Sequence, residues 1–325
     1  MKIHPMWKKY PSLQAELKAC NALIEKNITI KNKDVNQKIT ELLSSGGKML
    51  RPAYTIMFSQ YKKDADSKKA QAIAAAIEVL HLATLVHDDV IDESPLRRGQ
   101  ETINSRYDNR VAVYTGDYLF TVCFRLLSDY VEDAGALQLD NNGMEKILIG
   151  ELNQMDMTFN PKMTMRNYIH QIQGKTAQLF ALSCYAGAYE EGSEKLAKAA
   201  YQIGNNIGLA FQIIDDILDY TQKTDVMGKP IMNDFKKGIY TAPLLFAMQE
   251  NRKAFEPYIA KKEQISEEEL EEVYHLIQQY RGEEKAKELA DKYTQKALKQ
   301  IERLPDNPVK EQLLIITEQA LMRNN

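Results

Sequence analysis

Two short stretches of the chain concentrate carboxylates among apolar neighbours. HDDVIDE, from His87 to Glu93, holds Asp88, Asp89 and Asp92, and QIIDDILDY repeats the spacing with Asp215, Asp216 and Asp219. On a helix, residues four apart share a face, so Asp88 stands with Asp92 and Asp215 with Asp219. Two carboxylates about 4 Å apart repel by about 4 kcal/mol at an effective dielectric of 20. No Lys or Arg lies within four residues on the N-terminal side of either cluster. Left bare, such pairs are driven toward protonation. A divalent cation resolves the conflict, and Mg²⁺ in particular accepts one or two carboxylates together with waters and substrate phosphates. If the two acidic walls face each other, they form a binuclear or trinuclear clamp for a diphosphate. The plain alternative is a solvated charge run, which the apolar setting of both copies disfavours.

Cations recur near these clusters. GGKMLRP (46–52) supplies Lys48 and Arg51, which share a face if a helix begins after Gly47. LRRGQ supplies Arg97 and Arg98, and Arg matches phosphate oxygens in a bidentate fork. GKTAQLF supplies Lys175 and Thr176, and MGKP supplies Lys229. GKT is not a P-loop here, because the full GxxxxGK[ST] pattern and its strand are missing. With the acidic walls, the set reads as two diphosphate pockets, one bridged by metal and one held by Arg and Lys alone. A rival reading uses two ExxH pairs, Glu78 with His81 and Glu272 with His275, a spacing found in di-iron helical bundles. The second pair lies in SEEELEEVYHLIQQYRGEEK, a strongly polar stretch that reads as solvent-facing.

The elements that must position these residues are helices. From Ser67 to Ile91 the chain carries no Gly or Pro and, after its first turn, is apolar nearly all round, the mark of a buried helix. LAFQIIDDILDY reads the same way. Ala286, Leu289, Tyr293, Ala297, Ile301 and Leu304 recur every three or four residues among Lys and Glu, which predicts an amphipathic surface helix. Alternating strand patterns are absent. An all-α bundle of roughly ten or more helices is expected, with about a dozen residues as a typical helix length. The polar stretches DAGALQLDNNG (133–143) and TQKTDVMGKP (221–230) are loop-sized rather than linker-sized, so a single all-α domain over 1–325 is expected. The repeat of the acidic cluster hints at pseudo-symmetric halves.

Bulk properties set the outer bounds. The 325 residues are 44% hydrophobic and 27% charged, enough for a sizeable core. A net charge of −3 gives no reason to expect nucleic-acid binding. Cys20, Cys123 and Cys184 are dispersed, which fits a reducing, cytoplasmic setting. The start, MKIHPMWKKYP, lacks the apolar core of a signal peptide, and no run reaches the about 18 apolar residues that a spanning helix needs.

GGKMLRP, HDDVIDESPLRRG, GKTAQLF, GLAFQIIDDILDY and GKP occur in the order found in trans-isoprenyl diphosphate synthases. The chain resembles that family, of the polyprenyl type, over about residues 40–245. The resemblance implies an all-α bundle around a deep central cavity, usually dimeric, which elongates an allylic diphosphate with isopentenyl diphosphate. It implies Asp88, Asp92 and Asp215 as Mg²⁺ ligands, supported by Asp89, Asp216 and Asp219. Lys48, Arg51, His81 and Arg98 then correspond to the isopentenyl diphosphate site. Arg97, Lys175, Thr176, Gln212 and Lys229 correspond to the allylic diphosphate site. Asp88, Asp92, Lys175, Thr176, Gln212 and Asp215 are the residues expected to serve catalysis. One departure is visible in DFKKGIY, where many relatives carry Lys or Asn after the glycine and this chain has Ile239. Lys236 and Lys237 are the neighbouring alternatives, neither of them assigned.

A terpene cyclase would share the first acidic cluster, but its second motif usually mixes Asn or Asp with Ser or Thr and Glu. DDILD and GGKMLRP therefore favour elongation. Inactive partner subunits of heterodimeric synthases typically lose the aspartates; this chain keeps all six, so it would be the catalytic member of such a pair. The resemblance also implies that the growing tail runs back from the first cluster along its helix. One turn before Asp88 stand Ala83 and Thr84, both small, and deeper stand Leu80 and Ile77, then Ala76 and Ala75. A helical turn rises about 5.4 Å, close to one isoprene unit, so a product of about C30 to C40 is expected. A shorter farnesyl or geranylgeranyl product is the alternative. The implied partners are the two diphosphates and either a second copy or a small non-catalytic subunit, with transient membrane contact as one route for product release.

Overall fold

The structure, a computed structural model, describes residues 3–44, 47–62, 65–97, 99–130, 157–189, 194–221 and 232–322, with single positions at 145, 149 and 152. It divides into two compact units, Met1–Asn141 with Leu182–Tyr201, and Asn142–Ala181 with Gln202–Asn325. Among the described residues, regular structure is helical apart from one two-residue hairpin.

The first unit is organised by the helix that carries HDDVID. α1 (Pro11–Asn27), α2 (Lys33–Ser44), α3 (Leu50–Ser59) and α4 (Ser67–Ile91) come first in the chain, and α1 and α3 both pack on α4. Asp66 caps α4 by accepting the backbone amides of Lys68 at 2.8 Å and Lys69 at 3.2 Å, which satisfies two amides with no partner inside the helix. Beyond that cap, Ala72, Ala74, Ala75, Ala76 and Val79 are almost wholly buried. Small side chains on every face let neighbouring helices approach closely. α4 is also long and apolar enough to cross a membrane by length and composition. Glu78 still interrupts its apolar run, and its alanines count as apolar while packing like spacers. Most of α4 is buried inside the protein.

After α4 the chain makes an antiparallel hairpin, β1 (Leu96–Arg97) and β2 (Gln100–Glu101), turning through Gly99 at φ +76°. α5 (Ile103–Arg106) and α6 (Asn109–Tyr130) come next, and α6 packs along α4. Upstream, a 3₁₀ turn at Pro5–Lys9 buries Trp7 completely, and its indole Nε1 donates to the Lys48 carbonyl at 2.8 Å. The N-terminus thereby fastens the basic segment GGKMLRP. Met49, buried at φ +49°, takes a left-handed conformation, so α3 starts only at Leu50. The expectation that Lys48 and Arg51 share a helical face is therefore corrected. A left-handed residue cannot propagate a right-handed helix, and Lys48 precedes the helix that holds Arg51.

The second unit begins its described structure with α7 (Met165–Ile172), capped by Thr164, whose hydroxyl oxygen accepts the Asn167 amide. A single π turn, Gln173–Ala177, comes after it, in which the Gln178 amide reaches back to the Gln173 carbonyl. α8 (Gln178–Ala188) and α9 (Glu194–Thr221) contribute residues to both units. The remaining helices are α10 (Asn233–Lys236), α11 (Ala242–Ile259), α12 (Glu267–Gln279), α13 (Gly282–Glu302) and α14 (Val309–Leu321). Ser266 and Glu269 form a reciprocal capping box at the start of α12. α13 buries Ala286, Ala297 and Ile301 as its periodicity predicts, leaves Leu289 and Tyr293 half-buried with Ala290 buried beside them, and packs on α11 and α14. The stretch 133–143, and 221–230 beyond its first residue, lie outside the described residues.

Replacing Trp7 with Phe keeps most of the buried ring and deletes the donor to the Lys48 carbonyl. The expected cost is about 1–3 kcal/mol, the scale of leaving a buried polar group without its partner. A lowered urea midpoint with an unchanged slope would report it.

Candidate active site

In the first unit, the last turns of α4 present two different acidic settings. Asp88 is half-buried and Asp92, the C-cap residue, is exposed, one helical turn apart as the spacing predicts. Asp89 points elsewhere and is only 3% exposed. Arg97 closes on it through Nε and Nη2, each 2.8 Å from Oδ1. The turn of α4 before the cluster offers no Lys or Arg, but the hairpin returns one from the C-terminal side. Asn104 Nδ2 donates to the carbonyls of Asp89, at 3.1 Å, and Ser94, at 3.4 Å. The Thr102 hydroxyl donates to the Ser94 carbonyl at 2.7 Å. The hairpin is thus pinned to the helix end that bears the aspartates. Arg97 directs Nε and Nη2 at one carboxylate oxygen, and a guanidinium carries five N–H donors in all.

Lys48, Arg51 and His81 are half-buried in the same unit. Ala83 is fully buried, Leu80 and Ile77 nearly so, and Thr84 is half-buried with its hydroxyl donating to the His81 carbonyl at 2.8 Å. Arg98 lies outside the described residues.

In the second unit, Thr176 sits in the π turn and is buried. Its hydroxyl donates to Gln212 Oε1 at 2.6 Å, Gln212 Nε2 donates to Asp216 Oδ1 at 2.7 Å, and the Tyr168 hydroxyl donates to Asp216 Oδ2 at 2.5 Å. Lys175, next to Thr176, is half-buried, as is Asp215. This chain of bonds needs α9 to lie against the π turn. Glycine permits it: a Cβ at Gly208 would collide with the Ala177 backbone, and one at Gly204 with the Phe180 carbonyl.

Asp219, one turn beyond Asp215 on α9, has both carboxylate oxygens engaged. They accept the backbone amides of Asn233 at 3.1 Å and Asp234 at 3.0 Å, while the Met232 amide bonds the Asp219 carbonyl at 3.1 Å. Asp219 therefore fastens α10, the segment that carries DFKKG. Lys236 is turned to Glu267 at 2.8 Å, and Lys237 is exposed. Lys229 lies outside the described residues.

Burial pushes the Asp216 carboxyl well above the usual carboxylate range, and the charges of Asp234 and Asp215 add to this, while the donors Tyr168 and Gln212 oppose it. Burial also raises Asp219, against the two backbone amides and the nearby Lys236 and Lys237. Excess negative potential at half-buried carboxylates suits a cation. Among the described residues, no group of three or more His, Cys, Asp or Glu side chains is placed to hold a metal by itself. The donor chemistry fits Mg²⁺ completed by waters and phosphates. The iron reading gains nothing, since Glu272 and His275 are both exposed on α12. Tyr168, Asn104 and Trp7 carry no mark in the sequence that would have singled them out, because their partners are 15 to 48 residues away.

Asp89→Asn leaves the Arg97 guanidinium without its buried counter-charge, so a loss on the order of 3 kcal/mol in urea unfolding is expected. The raised carboxyls give a second expectation. A group whose pKa is higher folded than unfolded opposes folding when ionised, and that penalty disappears as pH falls through the folded value. In EDTA, thermal stability should therefore rise from pH 8 toward pH 5.5, and the rise should shrink in Asp216→Asn.

The Polyprenyl synthetase family profile matches residues 32–277. Heptaprenyl diphosphate synthase component 2 of Bacillus subtilis is 34% identical over 278 residues, covering 85% of this chain and 79% of that one. The crystal structure of geranylgeranyl pyrophosphate synthase from Lactobacillus brevis superposes with a TM-score of 0.93 at 39% identity, covering 98% of this chain and 99% of that one. A decaprenyl diphosphate synthase from Rhodobacter capsulatus superposes with a TM-score of 0.90 at 30% identity, with 98% and 99% covered. The chain belongs to the polyprenyl synthetase family, with its all-α fold, and is a prenyltransferase.

Proposed function

We propose that this chain condenses an allylic diphosphate with isopentenyl diphosphate in successive head-to-tail steps, giving an all-trans polyprenyl diphosphate of about C30 to C40. One observation carries the reading. On each long apolar helix, the inward aspartate is satisfied by the chain's own donors: Asp89 by Arg97, and Asp216 by Tyr168 and Gln212. Asp88, Asp92 and Asp215, half-buried or exposed on the same helices, are the carboxylates that the resemblance to the family's motifs assigns to Mg²⁺. Bound there, Mg²⁺ supplies Lewis-acid stabilisation to the departing pyrophosphate.

The chain's own residues do the rest. Lys48, Arg51, His81 and Arg98 hold isopentenyl diphosphate; Arg97, Lys175 and Lys229 hold the allylic diphosphate. The dipoles of Thr176 and Gln212 stand beside the allylic carbon, where fixed dipoles stabilise developing positive charge without reorganising. The allylic C–O bond breaks, the isopentenyl double bond forms the new C–C bond, and a proton leaves to the released pyrophosphate. Apolar walls keep water from the cation.

The buried, small Ala83 and its deeper neighbours Leu80 and Ile77 support a long product. The closeness of the Lactobacillus geranylgeranyl synthase structure favours a shorter one as the second reading. The Bacillus relative is named as one component of a synthase, which supports a partner subunit as the alternative to a homodimer. We place the protein in the cytoplasm.

Incubation with Mg²⁺, farnesyl diphosphate and labelled isopentenyl diphosphate, with subsequent sizing of the products, tests the reading. Label should enter polyprenyl products of about C30 to C40, and EDTA should abolish it. Products that stop at C20 would establish the second reading. Absence of any prenyl product, alone or with candidate small subunits, would refute both. Ala83→Phe should shorten the product by about one isoprene unit or more, since it fills one turn of the wall.

A further inference from the structure

We infer that Tyr168 is a positioning residue for the reaction, acting through Asp216 and Gln212 to fix which way the Thr176 hydroxyl points. The inference rests on the function proposed above. Tyr168 lies on α7, is 1% exposed, and donates to Asp216 Oδ2 at 2.5 Å. Asp216, 4% exposed, accepts on its other oxygen from Gln212 Nε2 at 2.7 Å. Both Asp216 oxygens accept in this arrangement, Oδ2 from the phenol and Oδ1 from the carboxamide nitrogen, so the NH₂ end of Gln212 faces Asp216. The carboxamide oxygen is thereby turned to Thr176, which donates to it at 2.6 Å.

The direction of every bond is set by the one before. With its single proton given to Gln212, the Thr176 oxygen keeps only lone pairs for whatever lies next to it. An acceptor held in that sense stabilises a neighbouring cation and has no proton to lend to it. Reversing the carboxamide would turn the hydroxyl proton outward and present the wrong end of the dipole. Tyr168 opposes that reversal by fixing the rotation of the Asp216 carboxylate. Its phenol shares one buried cluster with Ile172, Ile213, Tyr220 and Phe235, and its burial and the Asp216 charge hold it protonated. It is a rigid donor on a separate helix from Asp216 and Gln212.

Tyr168→Phe tests this, since it removes one oxygen and keeps the ring. The expected result is a fall in kcat of about 10- to 100-fold, the scale for losing a group that orients a directly acting one. KM for both diphosphates should stay within about twofold, because uniform binding is untouched. Replacement of Tyr168 by 3-fluorotyrosine, which keeps the donor, should restore turnover. A second readout needs no activity. In the metal-free protein with ¹⁵N-labelled glutamine, the Gln212 carboxamide protons should exchange slowly, and Tyr168→Phe should shift them and remove that protection. An unchanged kcat in Tyr168→Phe, or kcat and KM altered together, would overturn the inference, as would an unaltered Gln212 signal. If the parent protein forms no prenyl product, the functional reading fails by itself, and the carboxamide signal still decides the role of Tyr168.

Discussion

A carboxylate carried into an apolar helical core must find compensation within hydrogen-bonding reach or surrender its charge. That constraint shapes both acidic clusters of this protein. The six aspartates have one spacing in the sequence and several fates in the structure. Asp89 takes a guanidinium brought back by a hairpin. Asp216 takes a phenol and a carboxamide. Asp219 takes two backbone amides and becomes a fastener for the next helix. Equivalent letters in a motif are therefore not equivalent parts, and the chemistry of each depends on the groups the surrounding fold brings to it.

Several of the compensating groups come from, or are held in place by, residues outside any motif. The hairpin that supplies Arg97 is held down by Asn104 and Thr102, and the segment carrying Lys48 is held by an indole from the first turn of the chain. Around Thr176, backbone approaches backbone at glycine, so that a hydroxyl on one helix and a carboxamide on another meet at 2.6 Å. Much of this protein's ordinary packing thus serves to place a few polar atoms, which is the usual requirement for preorganised electrostatics.

Legibility in the sequence divides along the same line. Ser67–Ile91 was legible to its ends, because a stretch without Gly or Pro, apolar nearly all round after its first turn, marks it locally. The buried stripe of α13 was legible for the same reason, as was the i, i+4 relation of Asp88 and Asp92. The start of α3 was not, since nothing local announces a left-handed Met49. The counter-charge of Asp89 was sought on the preceding turn and came instead through a hairpin eight residues on. Tyr168 was invisible because its partner is 48 residues away and an aromatic residue in a helix usually signals core.

The π turn at Gln173–Ala177 adds one residue to an otherwise continuous helical run. Removing a residue there would restore ordinary α hydrogen bonding and rotate α7 by about 100° relative to α8. Tyr168 would swing away from Asp216 while Thr176 stayed in place. The spacing between these two residues is thus an angular setting as much as a length, and this short segment is closed to insertion and deletion during divergence for a reason separate from the chemistry of Lys175 and Thr176.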